Sequence, residues 1–405
     1  MFSRRRFVNF CLFRYTLSER RMECPPIPLC GLDKLVMRQN MKESIGVEVK
    51  LMVDWSLFQQ LTQAPGAPGF EGEVRRILRT HLEKHSDELV QDRLGGVFGI
   101  LRGKSGPRVM VAGHMDEVSF MVTRITEEGF LRFQPLGGWW NQVMPAQRVE
   151  VVTRAGKRIP GVIGSVPPHL LKPEARNKPL EIEEMFIDVG ARNREEVDRM
   201  GIRPGDPAVP VCPFVEMEGG RRLMAKAWDN RFGCGMAVEL LKEMKKDRPP
   251  NTLIAGATVQ EELGLRGAEA AANLIQPDIF FAVDASPAGD IPGVKEGFGR
   301  LGGGVLIRIY DRTMVTLPGM RDYLLDTAEK ENIPYQFFVS QGGTDAGAVH
   351  RSGTGVPSAA IGVCARYIHS HAAIVDKDDI EAAKAFLIAL VKGLDDAAAE
   401  RIRER

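Results

Sequence analysis

Several short segments of this chain are apolar almost from end to end: "VMVAGH", "TLIAGATV", "IFFAVDA", "GVLIRIY", "YQFFVS" and "SAAIGVC". They lack the in–out alternation of a strand with one wet face. Such runs belong to strands covered on both sides, so they predict an α/β fold with a mostly parallel sheet sandwiched by helices. The covering helices are legible too. "WDNRFGCGMAVELLKEMKK" reads as one, and "DKDDIEAAKAFLIALVKGL" as another whose acidic start suits the positive end of the helix dipole. Upstream, "DWSLFQQLTQAPGAPGFEGEVRRILRTHLEKH" reads as two helices broken by a Pro/Gly turn. The second carries Val74, Ile77, Leu78 and Leu82 on one face.

From about 117 to 215 the pattern changes. "FMVTRI", "FLRFQPL", "RVEVVTR", "GVIGSV" and "MFIDVG" are short alternating segments between Gly, Pro and polar turns. This predicts a small all-β barrel inserted into a discontinuous α/β domain of residues 51–116 and 216–400. Residues 1–50 have no periodic apolar pattern. Their Arg-rich start loosely echoes a twin-Arg export signal, but the apolar stretch "FVNFCLF" is short and is cut by Arg14. They are expected to be a disordered tail or a mis-called start, with Met22, Met37, Met41 and Met52 as other starts, and to be dispensable.

The net charge of +1 gives no reason to expect a nucleic-acid or membrane partner. No apolar run approaches the roughly 18 residues of a spanning helix. Six cysteines without a CxxC pair predict a reducing, cytoplasmic setting.

The chemistry lies where the α/β strands end. His114-x-Asp116, Asp229, the doublet Glu261–Glu262, Asp284, and the pair His369 and His371 all sit at or just past apolar segments. Each has a plain explanation alone. A single His at a strand end is commonly a satisfied polar group, Asp229 reads as the N-cap of the helix it opens, and Asp284 fits a turn. Together they would crowd carboxylates into one crevice, which is costly without positive charge. Two divalent ions bridged by one carboxylate resolve this, and a mixed imidazole–carboxylate donor set suits zinc or cobalt. His81, His85, His169 and His350 have no such context.

The motifs "APGFEGEVR", "GHMDEVSFMV", "FQPLGGWWNQV", "GVIGSVPPHLL", "KAWDNRFGCGMAVELL", "TVQEELGLRGA", "GGTDAGAVH" and "RYIHSHAAI" occur in an order that resembles the tetrahedral (TET) dinuclear aminopeptidases, metallopeptidase family forty-two. The resemblance runs from about 57 to 394. It implies a zinc-peptidase-like fold and removal of N-terminal residues from peptides through a two-metal activated water. By resemblance, His114 and Asp284 would hold one metal, Glu262 and His369 the other, and Asp229 would bridge them. Asp116 would orient His114, and Glu261 would be the general base. His371 would lie near the site rather than in it. The resemblance also implies that the β insertion is a dimerisation domain, with dimers assembling into a dodecamer. Ser119 stands where that family usually has glycine.

Two other enzyme readings compete. Related amidohydrolases, deacylases and carboxypeptidases, use similar residues but insert their extra domain later in the chain. An endoglucanase-type glycosidase would use Glu261 and Glu262 as its acid pair and Trp139–Trp140 as a sugar platform. It would leave the histidines and the other carboxylates unexplained. A non-enzymatic scaffold would leave a ring of unpaired acids at one sheet edge.

Overall fold

The computed structural model describes residues 53–404, so the expectation for residues 1–50 lies outside them. Helix α1 (Trp55–Gln63) starts at Asp54, whose carboxylate accepts the amides of Ser56 and Leu57. Helix α2 (Gly72–His85) follows a Pro/Gly turn and buries Val74, Leu78 and Leu82. Strands β1 (Glu88–Gln91), β2 (Val97–Leu101) and β3 (Arg108–His114) then begin the main sheet.

Before that sheet is complete the chain builds a separate closed barrel. Its strands are β4 (Ser119–Ile125), β5 (Phe130–Leu136), β6 (Arg148–Val152), β7 (Arg158–Gly164), β8 (Phe186–Asp188) and β9 (Pro207–Pro210). They close in the order β4-β5-β8-β7-β6-β9. Phe120, Val122, Leu131, Val149, Val151 and Ile187 fill the interior. Phe120 stacks on Trp139 at 4.7 Å and meets Phe133 edge-on at 5.0 Å. Truncating a ring buried this way typically costs about 3–5 kcal/mol. The alternating pattern overlooked strand β9, which closes the barrel, and helix α3 (Arg194–Met200). The helix's signals are short-range ones: Asn193 caps the amide of Glu196, and Gly201 ends it at φ +87°.

The chain returns through β10 (Val215–Glu216) and β11 (Arg222–Ala225) to α4 (Trp228–Lys246), β12 (Thr252–Thr258), α5 (Arg266–Ile275) and β13 (Ile279–Pro287). Next come β14 (Val305–Asp311), β15 (Met314–Val315), α6 (Pro318–Lys330), β16 (Tyr335–Val339) and α7 (Asp345–His350). It finishes with β17 (Ser358–Ala365), β18 (Ala373–Asp376), α8 (Lys377–Gly393) and α9 (Asp396–Glu404).

The main sheet runs β1-β2-β12-β3-β13-β17-β14-β15, with β16 beside β14. Its centre, β12-β3-β13-β17, is parallel throughout. One face packs on α1, α2, α4 and α8 through Phe58, Leu78, Phe232, Leu240 and Phe386. The other packs on α5 and α7 through Ala268, Ala271, Ala346 and Val349. Both faces of the central strands are therefore covered, as their unbroken apolar runs require; "YQFFVS" differs, forming β16 at the edge, where Phe337 is 45% exposed. Because the central strands share one direction, their carboxyl ends gather at one edge. In open α/β sheets that edge holds the ligand crevice.

Candidate metal centre

A glycine contact makes room for the site. β3 and β13 pair only from Val109–Ile279 to Ala112–Ala282, then separate. The start of α4 wedges into the gap. A Cβ at Gly113 would lie 2.5 Å from the Gly233 carbonyl carbon, and one at Gly233 would lie 2.2 Å from the Val283 oxygen. No side chain fits at either position, so the backbones touch and α4 delivers Asp229 between the strand ends.

Asp229 does not act as the helix cap. It has non-helical backbone angles, φ −86° and ψ 104°. Its neighbour does the capping, since Asn230 Oδ1 accepts the amide of Gly233 at 2.9 Å. Both Asp229 oxygens are turned to imidazoles instead. Oδ1 lies 3.1 Å from His114 Nε2, and Oδ2 lies 3.4 Å from His369 Nε2.

The remaining predicted residues divide around this carboxylate. Glu261 and Asp284 approach His114 Nε2 at 3.8 and 3.9 Å. Glu262 approaches His369 Nε2 at 3.6 Å. One donor atom each from His114, Glu261 and Asp284 fall within 4.8 Å of one another, as do those of His114, Asp229 and Glu262. Glu261 is thus near enough to be a donor as well as a base. The neighbouring glutamates face different histidines because they lie in the turn beyond β12, after Gln260 at φ +54°.

Asp116 does more than touch His114. Its carboxylate is 3.5 Å from His114 Nδ1, which lies closer, at 3.1 Å, to the Asp116 carbonyl oxygen. The carboxylate's stronger bonds go to the doublet: Oδ1 accepts the Glu261 amide and Oδ2 the Glu262 amide, each at 3.0 Å. His369 is fixed from the barrel side, its Nδ1 lying 2.8 Å from the carbonyl oxygen of Gly138 beyond β5. His371 makes none of these contacts.

Sequence reasoning missed a layer beneath these residues. Lys226 Nζ binds both oxygens of Glu117 at 2.6 Å. Arg231 reaches Glu117 and donates to the carbonyl oxygens of Met115 and Ala64. This buried network clamps the "HMDE" turn to the loop after α1. Its partners lie more than 100 residues apart in sequence, so no local pattern marks them.

The electrostatics call for positive charge. Burial pushes Glu261 well above the usual carboxylate range, Glu262 up to about 8 and Asp284 up to about 7. Nearby carboxylates add to the effect: Asp229 on both Glu262 and Asp284, and Asp345 and Asp284 on Glu261. Burial opposes charge on His369 and His114 as well. The surrounding acids win, raising His369 to about 10 and His114 well above its ordinary value. Asp229 is held below its ordinary value, because hydrogen bonds from the two histidines outweigh burial.

The donor set fits divalent metal. An Nδ1–H that donates to a backbone carbonyl leaves Nε2 with its lone pair, the form in which imidazole ligates. Both histidines have a carbonyl oxygen within hydrogen-bond reach of Nδ1, and both aim Nε2 at carboxylates.

Residues 95–386 match the M42 glutamyl aminopeptidase family. The chain belongs to that family. It is 44% identical over 338 residues to the glutamyl aminopeptidase of Lactococcus lactis, covering 83% of this chain and 95% of the relative. It is 32% identical over 335 residues to the lysyl aminopeptidase of Pyrococcus furiosus, covering 82% and 94%. Among solved structures it is similar to a TET aminopeptidase from a marine-sediment Thaumarchaeota archaeon, at 41% identity and a TM-score of 0.84, covering 86% and 99%. It is also similar to Pyrococcus horikoshii TET1 peptidase, at 31% identity and a TM-score of 0.74, covering 83% and 98%. That peptidase is described as assembling into a tetrahedron or a large octahedral shell. The chain is therefore a peptide hydrolase of the aminopeptidase group.

Proposed function

We propose that this M42 aminopeptidase removes N-terminal residues from peptides at a centre of two divalent ions, with zinc or cobalt suiting its donors. The observation that carries the reading is Asp229, whose two oxygens each face a different histidine. His114 and Asp284 would hold one ion, His369 and Glu262 the other, and Asp229 both. When bound, such a pair lowers the pKa of water toward neutrality and polarises the scissile carbonyl. Glu261 takes the proton from the attacking water and returns it to the leaving amine. Asp116 steadies Glu261 by holding its amide. The free amine of the substrate is cationic and would be drawn to this acidic crevice, which favours terminal over internal cleavage.

Metal content after dialysis tests the bridge. Asp229→Asn should keep its fold, since Asn230 is the cap, and should lose both ions together with turnover. Two ions per chain with normal hydrolysis would overturn the assignment.

The assembly reading rests on the barrel region. It exposes Leu170 at 78% and Trp140 at 60%, and apolar side chains that open to solvent suit a subunit contact. Trp139 is half-buried instead, stacked on Phe120 of the barrel core. Dimers through this region, building a dodecamer, are the proposed state. Sedimentation at micromolar concentration should show no monomer, and a monomer there would defeat the proposal. Among the described residues no helix is long and apolar enough to cross a membrane, and Cys212, Cys234 and Cys364 are buried and unpaired. The unpaired thiols support a cytoplasmic location. Cell fractionation would check this; enzyme recovered outside the cytoplasm would argue against it.

A further inference from the structure

Three consecutive amides in the turn beyond β12 are held by two buried carboxylates. Asp116 accepts those of Glu261 and Glu262, and Glu71 Oε1 accepts that of Gln260 at 3.2 Å. The same Glu71 oxygen accepts the amide of Gly69 at 2.7 Å. Glu71 is 2% exposed and stands immediately before α2, whose apolar face is anchored in the core. It therefore ties the Pro/Gly turn to the catalytic turn, 189 residues away. Gln260 needs such a tie. Its φ of +54° is a left-handed conformation that a non-glycine side chain rarely adopts. That conformation sets the direction in which the next residue, Glu261, leaves the backbone.

We infer that Glu71 is a positioning residue for the peptidase reaction: by holding Gln260 it aims Glu261 without touching substrate or metal. The inference rests on the assignment of Glu261 as the base.

The test uses the full-length, metal-loaded enzyme with Glu71→Ala, Glu71→Gln and Glu71→Asp. Steady-state kinetics on a chromogenic aminoacyl substrate would be paired with metal content and with amide hydrogen exchange of residues 258–264 in the metal-free protein. Glu71→Ala should lower kcat about 10- to 100-fold, the usual result of a small misplacement of a reacting group. Its KM and metal content should hold, and exchange should quicken in 258–264 and not across the chain. Glu71→Gln keeps an oxygen that accepts the Gln260 amide, so its kcat should stay within about threefold of the parent. Parental kcat in Glu71→Ala would overturn the inference. So would a loss that merely tracks lost metal and chain-wide exchange. If Glu71→Ala does not fold, Glu71→Asp decides, because its shorter side chain withdraws from Gln260; unchanged kcat there is equally fatal. If the parent enzyme hydrolyses no peptide, the peptidase reading fails instead, and the exchange measurement still reports whether Glu71 holds the turn.

Discussion

His114 and His369 face the two oxygens of one carboxylate, yet they are held by different kinds of structure. His114 ends a buried central strand; its side chain is 2% exposed and is braced by Asp116. His369 lies in a loop beyond β17 at φ +55°; its side chain is 36% exposed and rests on a carbonyl from the barrel region. One half of the site is built into the sheet, and the other is closed over it from two separate parts of the chain. The sheet half is the more pre-organised, so it should bind metal more tightly. The more exposed half should exchange its ion more readily.

The largest test of this division uses the doublet. Glu261→Gln should keep both ions and lose about 10²- to 10⁴-fold in turnover, the usual range for a general base. Glu262→Gln should shed one ion, and excess metal should restore part of its activity. The reverse pattern, metal lost from Glu261→Gln and retained in an inactive Glu262→Gln, would exchange their roles. It would fit the close grouping of Glu261 with His114 and Asp284.

A smaller effect separates the histidines. His369→Ala should weaken one ion by more than the roughly 10- to 100-fold typical of losing a group that merely supports a ligand, and should recover in excess metal. His114→Ala should recover poorly, because it leaves buried Asp116, Asp229 and Asp284 without their imidazole partner. Titration calorimetry on both variants would show it, and equal rescue would erase the proposed asymmetry.

The mildest test is pH. Glu262 and Asp284, raised to about 8 and about 7 from ordinary values of 4.5 and 3.8, hold protons in the folded metal-free protein that the unfolded chain has released. The stability they contribute is complete below the unfolded values and declines as pH rises through the folded ones. His369, raised from 6.5 to about 10, has the same sign. Thermal melts of chelator-treated protein should therefore fall from pH 5 to 8.5. Metal-loaded protein should not do so, because ions replace those protons. Parallel slopes would mean that the crevice needs no cation.

The sheet and its strand-end residues were legible because burial on both faces leaves a local mark, the unbroken apolar run. The barrel was legible through its alternation. Asp229 was ambiguous in sequence because Asp and Asn both cap helices, and only the fold shows Asn230 doing so. Glu71, Glu117, Lys226 and Arg231 were illegible for another reason. An acid or base in a loop or at a helix start looks like any solvated charge until a partner from a distant segment buries it.

The barrel occupies the chain between Asp116 and Asp229, and this has a kinetic consequence. Folding must finish a self-contained closed sheet, or carry it as a long unstructured loop, before His114 and Asp229 can meet across their 115-residue separation. Closing so long a loop costs only about 0.6 kcal/mol more for each doubling of its length, so the equilibrium is little affected. The rate is another matter, because non-local pairings form slowly. The metal centre should therefore be among the last parts of the molecule to exist, and peptidase activity should lag behind the recovery of secondary structure on refolding.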